Sequence, residues 1–348
     1  MCDSALIIIP RKEVQYLMKT LAYLILSLLA SACSQQEVYS SKAVSKSVHS
    51  NSIIAASALS DDGQLNIIVN GDGVCLWKNE SKTNKPKCLS AAHAQHIEIA
   101  YISKNKQFFY LSNRVSVKKY ALNNFQLQGE WQVADNIIND ISSSKNGQLL
   151  LLGFRNGSAS IINTQTNKVT TYQKHRLDIN SVSLSDDGKI AFTGSSDKKA
   201  QLWNTTTGET LFEFNHATRV NHVDISADGL VGFSIDAVKD RKFWNLKTGQ
   251  LIAELDTYLK FIEVNNSTFS DDKRLFLTGS PRQVLQLWRV SDGALLAQWQ
   301  SAMEYGRASV LSVAINEKNS EKVENTNSIK IIASNSDGVL EQWLFPVH

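Results

Sequence analysis

An all-β fold, a seven-bladed propeller of four-stranded antiparallel blades, is predicted for this 348-residue chain by three observations. A bulky residue recurs along it as Trp77, Tyr120, Ile162, Trp203, Trp244, Trp288 and Trp343, at intervals of 41 to 44 residues with a last one of 55. A period near 40 residues marks an array whose units cannot bury a core alone and must stack on their neighbours. Between the markers lie short alternating runs punctuated by Gly and Asp, the pattern of hairpins, and no stretch beyond residue 50 carries a helical period. Seven such units close into a ring of blades around a channel.

The clearest unit runs from Asn180 to Phe214. Val182 and Leu184 alternate with serines, a turn follows at Asp186-Asp187-Gly188, and Ile190 to Ser195 forms the second strand. A polar loop at Ser196 to Lys199 leads into Ala200 to Trp203, and a turn ending in Gly208 leads into Leu211 to Phe214. The same frame returns at Ser60-Asp-Asp-Gly63, Ser144-Lys-Asn-Gly147, Ser226-Ala-Asp-Gly229 and Ser270-Asp-Asp-Lys273, with 17 or 18 residues from each Ser to its marker. With His175, Thr193-Gly194-Ser195, Asp197 and Leu202-Trp203-Asn204, this pattern resembles the WD40 repeat family over roughly residues 50 to 346. The Asp usual after Trp is replaced by Lys78, Asn204, Asn245, Arg289 and Leu344. The resemblance is specific for fold and silent on activity.

Only Leu344 to His348 follow Trp343, so the seventh unit lacks an outer strand. By analogy with the family, a segment ahead of the first blade fills that place, and Lys42 to Val48 is the candidate. Such a clasp removes an open edge that would otherwise invite aggregation.

Residues 18–32, from Met18 through Ala30-Ser31-Ala32, read as a secretory signal: a basic start, an apolar run of about a dozen residues, then small residues. The run is too short to span a membrane as a mature helix. With Cys33 directly after, it resembles a bacterial lipobox, apart from Ala30 where Leu is usual. That resemblance implies lipidation of Cys33 as the first mature residue, and Ser34 beside it resembles outer-membrane sorting. Residues 1–17 fit no part of a signal and suggest that Met18 is the initiator. Residues 33–50 are then tether and closing strand, ahead of a propeller over 51–348. The nine residues from Cys33 to Lys42 reach at most about 30 Å, which would hold the propeller near an envelope membrane and facing the periplasm.

The formal charge is +3, and no basic stripe of the kind that binds nucleic acid is present. Cys75 lies on the third strand of blade 1 and Cys88 on the fourth. The blade 4 register places them nearly opposite, which favours a disulfide in an oxidising compartment; two buried free thiols are the alternative.

Several constellations invite chemical readings. The Asp-Asp-Gly turns superficially resemble calcium loops but lack the alternating ligands and closing Glu of such a loop, and Asp-Gly turns need no ion. Asn139, Asn180, Asn221 and Asn265 each stand five residues before a turn Ser, at the start of an innermost strand. With His222 and Asp224 they could form a metal or substrate ring, although WD40 repeats use polar residues there for strand entry. His175, Ser195, Asp197 and Trp203 could pass for a hydrolase triad with a neighbour. The family resemblance implies instead a buried hydrogen-bond network within the blade, since a buried imidazole needs partners on both nitrogens. Blade 5 keeps His216 and Trp244 but has Val238 in place of the Asp, and blade 6 has Arg282. No zinc spacing, phosphate-cradling loop or nucleophile elbow occurs.

One surface reads either as a partner-binding face or as a scattered solvated rim with Phe261 and one Tyr packed into the core. Arg176, Asp178, Arg219, Tyr258, Lys260, Phe261, Tyr305 and Arg307 all fall, by the repeat register, on the connections that enter innermost strands. Arg and Tyr are the residues that anchor interfaces. The expected function is a non-catalytic, lipid-anchored scaffold for an envelope protein or complex, with no cofactor, metal, nucleic acid or small-molecule substrate. The alternative is a lactonase-like propeller hydrolase with a metal in its channel. A third reading is a glycan binder that stacks sugars on Tyr258, Phe261 and Tyr305.

Overall fold

The hairpin turns explain where each strand begins and ends. Ser185 Oγ donates to Asp187 Oδ1 (2.8 Å) and accepts the Ile190 amide (3.1 Å), while Asp187 Oδ1 accepts the Lys189 amide (3.0 Å). Gly188 sits at φ 73°, a left-handed conformation that costs other residues about 1–2 kcal/mol. The Ser-to-Asp/Asn bond recurs from Ser60, Ser103, Ser144, Ser226 and Ser270. One carboxylate oxygen of each turn Asp is therefore committed to the turn itself. The copy starting at Ser103 is concealed in the sequence because it lacks both the paired Asp, replaced by Lys104-Asn105, and the glycine, replaced by Lys106 at φ 55°.

In a computed structural model, residues 38–79, 85–133, 136–238, 240–255, 263–304, 308–323 and 326–347 are described. Among them are seven four-stranded antiparallel sheets, six of them in simple sequential order. Blade 1 runs from Ala56–Leu59 to Lys87–Ser90, blade 2 from Ile99–Ile102 to Leu127–Gln132, and blade 3 from Ile138–Ser143 to Val169–Gln173. Blade 4 runs from Ile179–Leu184 to Thr210–Asn215, blade 5 from Val220–Ile225 to Gln250–Glu254, and blade 6 from Asn266–Phe269 to Leu295–Gln300. Blade 7 contains Val310–Val323, Thr326–Asn335 and Val339–Pro346. The only helical element among the described residues is the 3-10 turn Ala91–His93.

All seven markers stand on third strands, and Trp203, Trp288 and Trp343 are buried. Second- and third-strand side chains meet the neighbouring blade: Leu151 and Ile161 of blade 3 pack with Ile179, Val182 and Trp203 of blade 4. Each such large apolar side chain stabilises by about 1.5–3 kcal/mol relative to exposure. The long final interval is a blade 7 hairpin extended beyond its neighbours, with pairing that continues from Asn316↔Lys330 to Val323↔Thr326.

The ring is closed as expected. Ser45–Val48 pairs with the last strand from Ser45↔Gln342 to Val48↔Val339 and completes blade 7. A second contact of the same segment was not foreseen. Tyr39 bridges to Ala297 in parallel at the edge of blade 6, exchanging backbone bonds with Leu296 and Gln298 (2.9 Å each). Its ring meets Trp299 and Phe345 edge-on. The segment therefore covers the edges of two blades. His49, just past the closing strand, stacks flat on Trp77 with centroids 4.4 Å apart.

Cys75 and Cys88 are directly paired across the third and fourth strands of blade 1 and form a disulfide with Cα atoms 4.1 Å apart.

Candidate functional site

Innermost strands of all seven blades line a central cavity of about 490 Å³. The predicted asparagines act here as ties between blades. Asn139 Nδ2 donates to the Ile179 carbonyl (2.9 Å), Asn180 Nδ2 to that of Val220 (2.8 Å), and Asn265 Nδ2 to that of Val310 (3.1 Å). Asn221 lines the same channel.

Deeper in the wall, further side chains accept from the next blade. Asp140 Oδ2 accepts the Val182 amide (2.8 Å), Ser181 Oγ that of Val223 (3.2 Å) and Asn266 Oδ1 that of Val313 (2.9 Å). Asp224 accepts from Ser183 Oγ (3.0 Å), the Ile225 amide (2.8 Å) and Ser267 Oγ (2.8 Å), and His222 Nε2 lies 2.8 Å from Ser267 Oγ. Burial raises both Asp140 and Asp224 to about 6, against hydrogen bonds that favour the charged form. Burial lowers His222 to about 4.

At the end of the channel on the Ser-Asp-Asp-Gly side, the second turn position of each blade forms a ring: Asp61, Lys104, Lys145, Asp186, Ala227, Asp271 and Glu317. Lys104 pairs with Asp186 at 2.7 Å and Lys145 reaches it at 3.5 Å. The turns are joined through backbone bonds from Asn105 to Lys145 (3.1 Å), Lys145 to Asp186 (3.0 Å) and Asp186 to Ala227 (2.9 Å).

In blade 4, His175 Nδ1 lies 3.1 Å from both Asp197 oxygens, while Nε2 lies 2.9 Å from Thr193 Oγ1. Ser195 Oγ donates to the Leu177 carbonyl (3.1 Å) and accepts the Asp197 amide (3.1 Å). Trp203 does not join this network, contrary to expectation. Its ring is buried beside Tyr172, and Nε1 has no acceptor. Thr193 Oγ1 stands next to the imidazole and donates to the Gln201 carbonyl (3.4 Å). Blade 5 corrects the sequence reading a second time: the carboxylate expected at Val238 is supplied by Asp240, whose Oδ2 lies 4.0 Å from His216 Nδ1. Here the indole does join, with Trp244 Nε1 donating to Ser234 Oγ (2.7 Å). Among its described residues, blade 6 retains the Trp288 Nε1 to Thr278 Oγ1 bond (3.1 Å).

On the face opposite the Ser-Asp-Asp-Gly turns, Arg176 and Arg219 are exposed and Asp178 is half-buried. Asp178 approaches Arg155 at 3.8 Å. An open polar hollow, lined by Arg114, Ile137, Asn139, Arg155, Asp178 and Asn180, lies beside them. Arg114, Arg155 and the apolar side chains of Val115 and Val238 sit on turns between second and third strands, a feature the sequence reading missed. The backbone shows that these turns share the face, since the Ser196 amide donates to the Asp178 carbonyl (2.9 Å) and the Ala237 amide to that of Arg219 (3.0 Å). Val115 and Leu177 are each 52% exposed and Val238 is 40% exposed. Tyr258, Lys260, Phe261, Tyr305, Arg307 and the expected lipidation site Cys33 lie outside the described residues.

Residues 166–204 match the family model described as WD domain, G-beta repeat. That span takes in the outer strand of blade 3 and the first three strands of blade 4, so one sequence repeat straddles two blades. No curated protein matches the chain.

Proposed function

We propose that the chain is a non-catalytic protein-interaction scaffold, held at the bacterial envelope by a lipid on Cys33, that presents the Arg176 face to an envelope protein. The observation carrying this reading is the alternation of exposed apolar and arginine side chains across blades 2 to 5: Arg114–Val115, Arg155, Arg176–Leu177, Arg219 and Val238. Arginine anchors interfaces by burying its stem while hydrogen-bonding at its head, and apolar neighbours supply the area to bury. The backbone bonds that tie these turns together reduce the ordering cost of binding.

The combined variant Arg176→Ala, Leu177→Asp, Arg219→Ala should lose crosslinked partners from intact envelopes while keeping the wild-type unfolding midpoint. Capture of the same partners by that variant would remove the support for this face. Cys33→Ser should move the protein from the membrane fraction to the soluble one, and continued membrane association would overturn the lipid anchor.

The hydrolase reading draws on Asp140, Asp224 and His222 in the channel wall. Their inter-blade hydrogen bonds supply a structural reason for these residues. A bound divalent ion that is lost on Asp224→Asn would favour that reading instead.

A further inference from the structure

Blade 5 departs from blade 4 in one detail with chemical content. In blade 4 the imidazole and its acid are closed on each other, His175 Nδ1 to Asp197 at 3.1 Å. In blade 5 the acid comes from further along the turn, and His216 Nδ1 stops 4.0 Å short of Asp240 Oδ2. That nitrogen has no hydrogen-bond partner, although the residue is only 7% exposed and its side chain is fully enclosed. The other ring nitrogen is engaged, with Nε2 2.9 Å from Ser234 Oγ, which also accepts the indole N–H of Trp244. If Nε2 carries the proton, Nδ1 turns a bare lone pair towards two carboxylates. If Nδ1 carries it, no acceptor is within reach. Either tautomer leaves a buried polar atom unmet, at a cost of about 1–3 kcal/mol.

The surroundings suit a cation. Ligand atoms of His216, Asp236 and Asp240 all lie within 4.8 Å of one another, and they need to draw in by about an ångström to share one ion bound at about 2.0–2.2 Å. Both carboxylates are held in place by backbone amides. Asp236 accepts those of Thr218, Val238 and Asp240 (2.9, 2.9 and 3.0 Å), and Asp240 accepts that of Ala217 (2.9 Å). An imidazole fixed through one nitrogen while the other points at the ion is the usual geometry of a metal-bound histidine.

We propose that His216, Asp236 and Asp240 bind one divalent transition-metal ion, zinc by the character of the donors, and that this ion closes the polar end of blade 5. One nitrogen and two carboxylate oxygens suit zinc better than calcium or magnesium, which take oxygen ligands alone. Among the described residues two cations stand nearby. Lys242 Nζ lies 3.5 Å from Asp240 Oδ1, but it has a second acid in Glu254 at 3.7 Å and keeps a partner when an ion takes Asp240. Arg241 stays beside the acids and makes the site weaker than a dedicated zinc centre. The role is structural: the site braces the turn that carries Val238 and the segment beside Arg219, and it stands apart from the channel.

The full chain, stripped with chelator and titrated with zinc chloride alone, should bind one equivalent. Asp240→Asn, with a wild-type circular dichroism spectrum, should weaken binding at least tenfold. Asp197→Asn in blade 4 and Asp224→Asn in the channel should leave it unchanged. Cobalt(II) added to wild-type protein should give visible absorption that zinc abolishes, a reading that needs no variant. Absence of stoichiometric zinc and of the cobalt bands would overturn the proposal, and so would loss of zinc on Asp224→Asn with retention on Asp240→Asn.

Discussion

Asn180 donates its side-chain amide to the carbonyl of Val220, one blade further on, at 2.8 Å. Asn139 and Asn265 make the same bond one blade earlier and two blades later. Side chains that look like a substrate ring in the sequence thus act as rungs between blades.

Removing a rung should loosen a junction without disturbing the blade that carries it. Asn180→Ala leaves the Val220 carbonyl without its donor, and a cost of about 1–2 kcal/mol is expected. Urea unfolding would register this as a lower midpoint at unchanged slope. A midpoint equal to wild type would show that water replaces the amide at no cost.

The clasp is held by four residue pairs, Ser45↔Gln342 to Val48↔Val339, and by Tyr39 on blade 6. Deleting residues 38–48 exposes both edges. At about 1 kcal/mol per net hydrogen bond, a loss of roughly 2–4 kcal/mol is expected, together with concentration-dependent aggregation from the bared strands. Size-exclusion chromatography over a dilution series would check the second effect.

Cys75 and Cys88 close a loop of sequence separation 13, and a loop of that size stabilises by about 3 kcal/mol. Cys75→Ser with Cys88→Ser should lower stability by that order. Adding reductant should shift wild type towards the variant and leave the variant unmoved. Peptide mapping of unreduced protein should recover the crosslinked pair.

His49 gives a pH dependence of known sign. Burial lowers its pKa from 6.5 to about 4, while the unfolded chain keeps the ordinary value. Between those limits the unfolded state binds more protons, so this contribution is present above pH 6.5 and fades as pH falls towards 4. His49→Phe preserves an aromatic stack on Trp77 and removes the titration. Stability of wild type relative to this variant should therefore drop between pH 7 and pH 4.5. A constant difference across that range would show that His49 titrates as a free imidazole. Asp224, raised to about 6 by burial, contributes with the opposite sign, which is why the comparison is made within one variant pair.

The parts of this structure legible in the sequence depend on short chain separations. A Ser-x-Asp-Gly turn closes on itself within five residues, as Ser185, Asp187 and Ile190 do, and strand alternation repeats every two residues. From these follow the four strands of a blade and, by their recurrence, the seven blades and the missing strand of the last one. The Cys75–Cys88 pairing was also legible, because both cysteines lie within one blade whose register the repeat supplies.

Relations between blades, or between a blade and the segment ahead of the first, were left to the tertiary structure. Tyr39 meets Ala297 although no pattern links them, and Asp240 supplies the acid that the repeat register finds missing at Val238. Trp203 and Trp244 occupy equal sequence positions, yet one indole is unpaired and the other is bonded. Such outcomes turn on side-chain distances of an ångström or less after packing, beyond the reach of residue type and spacing. The sequence by itself determined the ring and its closure. Folding decided which polar atoms within that ring found partners, since hydrogen bonds discriminate at distances that a repeat pattern does not resolve.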